Sequence, residues 1–159
     1  MARALGALSL ALALAGAAVP AAAQPAQDVA GLSWLVGSWR GAGTMLGQPS
    51  QAVLVIRPAL GGRFLELSYR AGGFEGRAFY HPMGEGRWQA RWFDNRGLRF
   101  AIEAAAADRT LTADWGSEGT ERGRTVYRLA EDGRLHLSDS VLRDGVLRPF
   151  ASHILARSD

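Results

Sequence analysis

Trp34-Leu35-Val36-Gly37-Ser38-Trp39-Arg40-Gly41-Ala42-Gly43 is the stretch on which the fold turns. Trp39 is a large apolar ring two residues after a glycine. Gly41 and Gly43 then follow at period two, so one face of this first strand carries no side chain. A bare strand face lets other backbone or a ligand approach closely. Upstream, Val29, Leu32, Leu35 and Val36 recur at helical spacing with Asp28 in N-cap position, which predicts one or two helical turns plugging the end of a barrel.

Beyond this stretch, turn signals recur roughly every 8 to 12 residues, the spacing of an all-β sandwich or barrel. The first strands are predicted at Ser38 to Leu46, Gln51 to Arg57 and Arg63 to Arg70, the last alternating Leu65, Leu67 and Tyr69 against Glu66, Ser68 and Arg70. Further strands follow at Glu75 to His81, Arg87 to Phe93, Leu98 to Ala104, Arg109 to Trp115, Glu121 to Leu129, Arg134 to Val141 and Val146 to Arg157. Asp132-Gly133 and Asp144-Gly145 are hairpin signals. The alanines of 101–107 favour helix by propensity, but alternation before them and a strand after them argue for strand. The expected fold is all-β: one antiparallel up-and-down barrel of about ten strands, with almost no helix beyond the N-terminal plug.

At 159 residues and 48% hydrophobic composition, the chain is read as one domain with a sizeable core. Arg3, the apolar run from Ala4 to Val19, Pro20 and the small residues Ala21 to Ala23 read as a secretory signal peptide over 1–23. The run is too short for a membrane span, so the mature chain is expected to carry none and to be exported, periplasmic or secreted. Residues 24–33 would be a leader and the start of the short helix, and 34–159 the barrel. Without cysteine the fold has no disulfide to lean on. All 18 basic residues are arginine, against 15 acidic ones, and they are scattered rather than clustered. The resulting charge of +3 is not a nucleic-acid signature, and no nucleic-acid partner is expected.

Gly37 to Gly43 resembles the opening of two related lipocalin-like groups: a bacterial calycin-type family of unknown function, and the haem-binding nitrobindin barrels. Three further segments, Gly61-Gly62-Arg63-Phe64-Leu65-Glu66, Phe74-Glu75-Gly76 and Trp92-Phe93-Asp94-Asn95-Arg96-Gly97, look more like the first group. In lipocalin-like barrels an arginine from the last part of the chain commonly covers the first-strand tryptophan. That resemblance implies a structural cation–π contact of Arg157 with Trp39 that closes the barrel. In nitrobindin-type barrels a histidine near the C-terminal end is the axial haem ligand, and His153 occupies a comparable place.

The residues, together with the resemblance, offer three classes of function. Apolar rows should face inward, which collects Tyr69, Tyr80, Trp88, Trp92, Phe100 and Trp115, with His153, as candidates to line a cavity for a small apolar or amphipathic ligand. The same rings would equally fill a core, leaving a barrel that works through its surface as an interaction protein. Haem on His153 is the remaining alternative; otherwise no cofactor is expected. His81, His136 and His153 make no HxH or HxxxH pair, and no metal set is expected. No GxSxG elbow, nucleophilic cysteine or phosphate loop is present, so the chain reads as a binding protein rather than an enzyme. Glu66, Glu75, Glu103, Asp94 and Asp114 lie on different strands with nothing in the sequence to pair them. Oligomeric state and ligand identity are not written in the residues.

Overall fold

The computed structural model describes residues 29–116 and 119–158. The expected signal peptide, the expected leader before residue 29 and the expected Asp28 cap lie outside the described residues. Val29–Leu35 is a 3₁₀ turn, broken at Leu32 (φ −116°, ψ 19°), with Leu32 and Leu35 buried. Ten strands follow: β1 (Gly37–Met45), β2 (Gln48–Ala59), β3 (Phe64–Ala71), β4 (Phe74–Gly84), β5 (Arg87–Asp94), β6 (Arg99–Ala107), β7 (Thr110–Trp115), β8 (Gly123–Leu129), β9 (Leu135–Arg143) and β10 (Val146–Arg157). Each pairs antiparallel with its sequence neighbours, and β10 returns to β1, closing the barrel. Closure leaves no strand edge unpaired, which removes the aggregation hazard of an open sheet. Among the described residues no helix is long and apolar enough to cross a membrane.

Period-two alternation decides what faces in. Leu65, Leu67 and Tyr69 of β3 are buried, as are Ala78 and Tyr80 of β4, Phe100 and Ile102 of β6, and Leu135 and Leu137 of β9. The alanine-rich segment is strand β6, because it pairs with β5 on one side and β7 on the other, long-range pairing that a local helix would forgo. β2 runs further than the turn residues imply and contains Pro49 and Pro58, each near an end, where a missing ladder donor is tolerated. β8 starts at Gly123, two residues later than the alternation suggests, and β9 runs on to Arg143. Asp144 and Gly145 both take positive φ (52° and 75°), the twist a two-residue hairpin requires.

The seam is built by the opening glycines. A Cβ on Gly41 or Gly43 would overlap the β10 backbone at Ile154 or Ser152, so the bare face admits the closing strand rather than a ligand. Arg157 pairs with Trp39 across this seam. Its guanidinium lies 4.3 Å from the Trp39 ring centroid and donates to the carbonyls of Val36 (2.9 Å) and Trp34 (3.1 Å). The Trp39 indole N–H in turn donates to the Leu35 carbonyl at 2.9 Å. Gly37 sits under the guanidinium at φ 140°, a conformation and a space that no side chain shares. The N-terminal turn is thereby tied to the last strand at one end of the barrel. The β1–β2, β3–β4, β5–β6, β7–β8 and β9–β10 connections gather at the other end.

Candidate functional site

A cavity of about 360 Å³ opens at that second end. It falls in the range of small-molecule sites. β3 supplies Tyr69, β4 Phe74 and Tyr80, β5 Trp92, β6 Phe100 and Ile102, β7 Trp115, β8 Thr125 and Tyr127, and β9 Leu137 and Asp139. Every one comes from an inward position of its strand, so the alternation that builds the core also builds the site. Phe74 stacks on Trp92 (centroids 6.0 Å, 16°) and meets Tyr69 edge-on at 6.2 Å, while Phe100 packs at 5.4 Å on Trp115.

The space exists because two tryptophans lie flat against glycine. A Cβ on inward-facing Gly76 would overlap the Trp92 ring, and one on Gly123 would overlap the Trp115 ring. With hydrogen in those places the indoles settle against the wall and leave the lumen open. A glycine inside a strand otherwise costs stability.

The mouth is a knot of charge. The Asp94 carboxylate accepts from the Arg96 guanidinium (2.8 Å), the backbone N–H of Arg96 (3.0 Å) and of Leu98 (3.3 Å), and the Trp92 indole (3.3 Å). Burial pushes this carboxyl up, but these bonds outweigh it and hold the pKa below the usual carboxylate range. Arg96 also lies 5.2 Å over the Phe74 ring and 4.0 Å from Glu121, which Arg143 binds at 3.0 Å.

Deeper, Asp139 sits between Thr125 on β8 and Ala151 on β10. It keeps accessible surface and lines the cavity. Thr125 Oγ1 donates to its Oδ1 at 2.5 Å. Desolvation pushes its carboxyl up to about 6, with the Thr125 bond opposing. Burial, aided by the Asp139 charge, raises Tyr69, Tyr80 and Tyr127. At neutral pH the phenols are therefore neutral and the carboxyl mostly ionised.

Of the residues expected to line a cavity, Tyr69, Tyr80, Trp92, Phe100 and Trp115 do so. Trp88 and His153 do not. Trp88 is buried and packs beneath Gly31 of the N-terminal turn. His153 faces inward but is sealed at 1% exposure, with Tyr69 Oη 3.4 Å from its Nδ1 and no partner for Nε2. Burial lowers its pKa, which keeps the ring neutral. An axial haem ligand must present a nitrogen to the space that holds the porphyrin. His153 is not in the cavity wall, so the residues present do not fit haem, and no chemistry is derived through it.

Asp139, Thr125 and Tyr127 have a readable signal that the aromatic rows overshadow. Leu135, Leu137, Asp139 and Val141 alternate on β9, which places a carboxylate at an inward position, and Gly123, Thr125 and Tyr127 do the same on β8. Of the carboxylates singled out in the sequence, Asp94 stands at the mouth, whereas Glu66 is held by Arg57 (2.8 Å) and Arg77 (3.5 Å), Asp114 by Arg124 (2.6 Å), and Glu103 by Gln89 (3.0 Å). Compared with known proteins, the chain matches no family model and no curated protein.

Proposed function

We propose that this chain is an exported, lipocalin-like barrel that carries a small apolar or amphipathic molecule in its lumen. The observation that carries the reading is the aromatic cavity opening at one end of a closed barrel. A barrel that acts only through its surface gains nothing from holding such a space, since each unfilled volume costs dispersion contacts. The Val29–Leu35 turn acts as the stopper at the far end, so ligand would enter and leave past Arg96, Glu121 and Arg143. The lipocalin likeness rests on the opening motif together with the Trp39–Arg157 contact, and export on the leader over residues 1–23.

The test is titration with N-phenyl-1-naphthylamine, an uncharged dye whose emission rises in apolar sites, against the unmodified protein and Val141→Trp. Val141 lines the cavity, and the larger ring would occupy it. Saturable one-site binding that the substitution abolishes is the expected result. Absence of saturable binding, or binding that ignores the substitution, would overturn the reading.

A further inference from the structure

Asp139 differs in its partners from the arginine-bound carboxylates of this molecule. Glu66, Asp94, Asp114, Glu121 and Asp132 are each bonded by arginine. Asp139 alone among the acidic cavity residues described has no such partner: its bond comes from the neutral hydroxyl of Thr125, whereas Glu121 at the mouth is already met by Arg143. A chain with 18 arginines has left one inward carboxylate without a cation, in a lumen walled by aromatic rings. An ionised carboxylate removed from water without a counter-charge is costly, and the cost is removed when a cation arrives.

Resting on the cavity reading, we propose that the barrel selects ligands that carry a protonated amine, with the ammonium on Asp139 and an aryl or alkyl body against Trp92, Phe100 and Trp115. The carboxylate supplies a charge-assisted bond, and the tryptophan faces attract the cation through their quadrupoles. The phenols of Tyr69 on β3, Tyr80 on β4 and Tyr127 on β8 stay neutral and accept further N–H bonds. An anionic ligand would meet repulsion at Asp139, and a neutral one would leave its charge uncompensated.

The pH dependence has a defined sign. Thr125, Tyr69, Tyr80 and Tyr127 do not change charge near neutrality, His153 on β10 behind Tyr69 is kept neutral by burial, and Arg96, Glu121 and Arg143 at the mouth are paired with one another. Protonation of Asp139, at a pKa of about 6, is then what weakens amine binding in acid. Affinity falls about tenfold between pH 8 and pH 5, since only the ionised tenth of the carboxyl remains at the lower pH.

Calorimetric titration of the unmodified protein with 2-phenylethylamine, 2-phenylethanol and 3-phenylpropionate tests this, with Asp139→Asn alongside. The amine should bind about tenfold or more tightly than the alcohol at pH 8, lose that advantage at pH 5, and lose it in the variant. Equal binding of amine and alcohol, or preference for the carboxylate, overturns the amine assignment while uptake of N-phenyl-1-naphthylamine leaves the cavity reading standing. If neither dye nor any of the three probes binds, the cavity reading falls and this one with it. The comparison of probes in the unmodified protein needs no variant to fold.

Discussion

Replacing Asp139 by asparagine should make the unliganded protein more stable at pH 8 and nearly unchanged at pH 4. The carboxyl has a pKa of about 6 in the folded chain against 3.8 for an unperturbed aspartate, and burial is the main cause. A group whose pKa is raised on folding holds its proton more tightly in the native state, so the native state is favoured as pH falls and disfavoured as pH rises from about 4 to 6. Two pKa units correspond to about 3 kcal/mol when fully developed, and water in the cavity makes that an upper limit. His153 works in the opposite sense: its pKa is lowered, the unfolded state takes the proton first, and stability is lost as pH falls below about 6.5. It is present in both proteins and cancels in their difference. The amide of the Asp139→Asn variant keeps an acceptor for the Thr125 hydroxyl, so the substitution removes only the charge. Urea unfolding of both proteins from pH 4 to pH 8 should therefore show a gap that opens with rising pH. At pH 8 it corresponds to a thermal midpoint difference on the order of 10 °C. A gap that does not vary with pH would refute the claim that Asp139 is an uncompensated charge in the lumen.

The closing seam and the cavity wall give further expectations. Arg157→Ala removes the stacked guanidinium and two hydrogen bonds to the N-terminal turn, and should cost about 2 kcal/mol by denaturant unfolding. Arg157→Lys should recover only part of this, because an ammonium does not span both carbonyls in one plane; an unchanged midpoint in the alanine variant would remove the contact from any account of closure. Gly41→Ala places a methyl group into the Ile154 backbone and should destabilise by several kcal/mol, read by urea unfolding followed by circular dichroism. Gly76→Ala meets only the Trp92 ring, a side chain that can move into the lumen. It should keep the strand spectrum and lower dye affinity, and unaltered affinity would show that the tryptophan does not set the cavity's size.

Much of the fold is legible because a barrel is a local object repeated. Each strand of the meander pairs with its sequence neighbours, so alternation in β3 or β6 and a turn signal such as Asp144-Gly145 fix most of the architecture without long-range information. Boundaries slip where the cue is absolute in principle but local in effect: the expected strand over Gln51 to Arg57 stops short of the prolines on either side, yet Pro49 and Pro58 each remove a single ladder donor, and β2 continues through them. In the alanines of β6, pairing on both sides overrides intrinsic propensity.

The site divides along the same line. Alternation alone establishes that Tyr69, Tyr80, Trp92, Phe100 and Trp115 point inward, and it equally points Trp88, His153 and Asp139 inward. It does not say how deep along the barrel axis each lies, because strand tilt and register set depth, and these emerge only when β10 meets β1. Closure put Trp88 under the N-terminal turn and sealed His153 behind Tyr69. It also brought Asp139 beside Thr125 in open space, with two tryptophans held off the lumen by Gly76 and Gly123. Which face each side chain takes can be read from the residues, since a period of two is a property of the strand. Which inward residues share a cavity and which are packed solid is settled by the closed barrel, because empty volume belongs to ten strands together and to none of them alone.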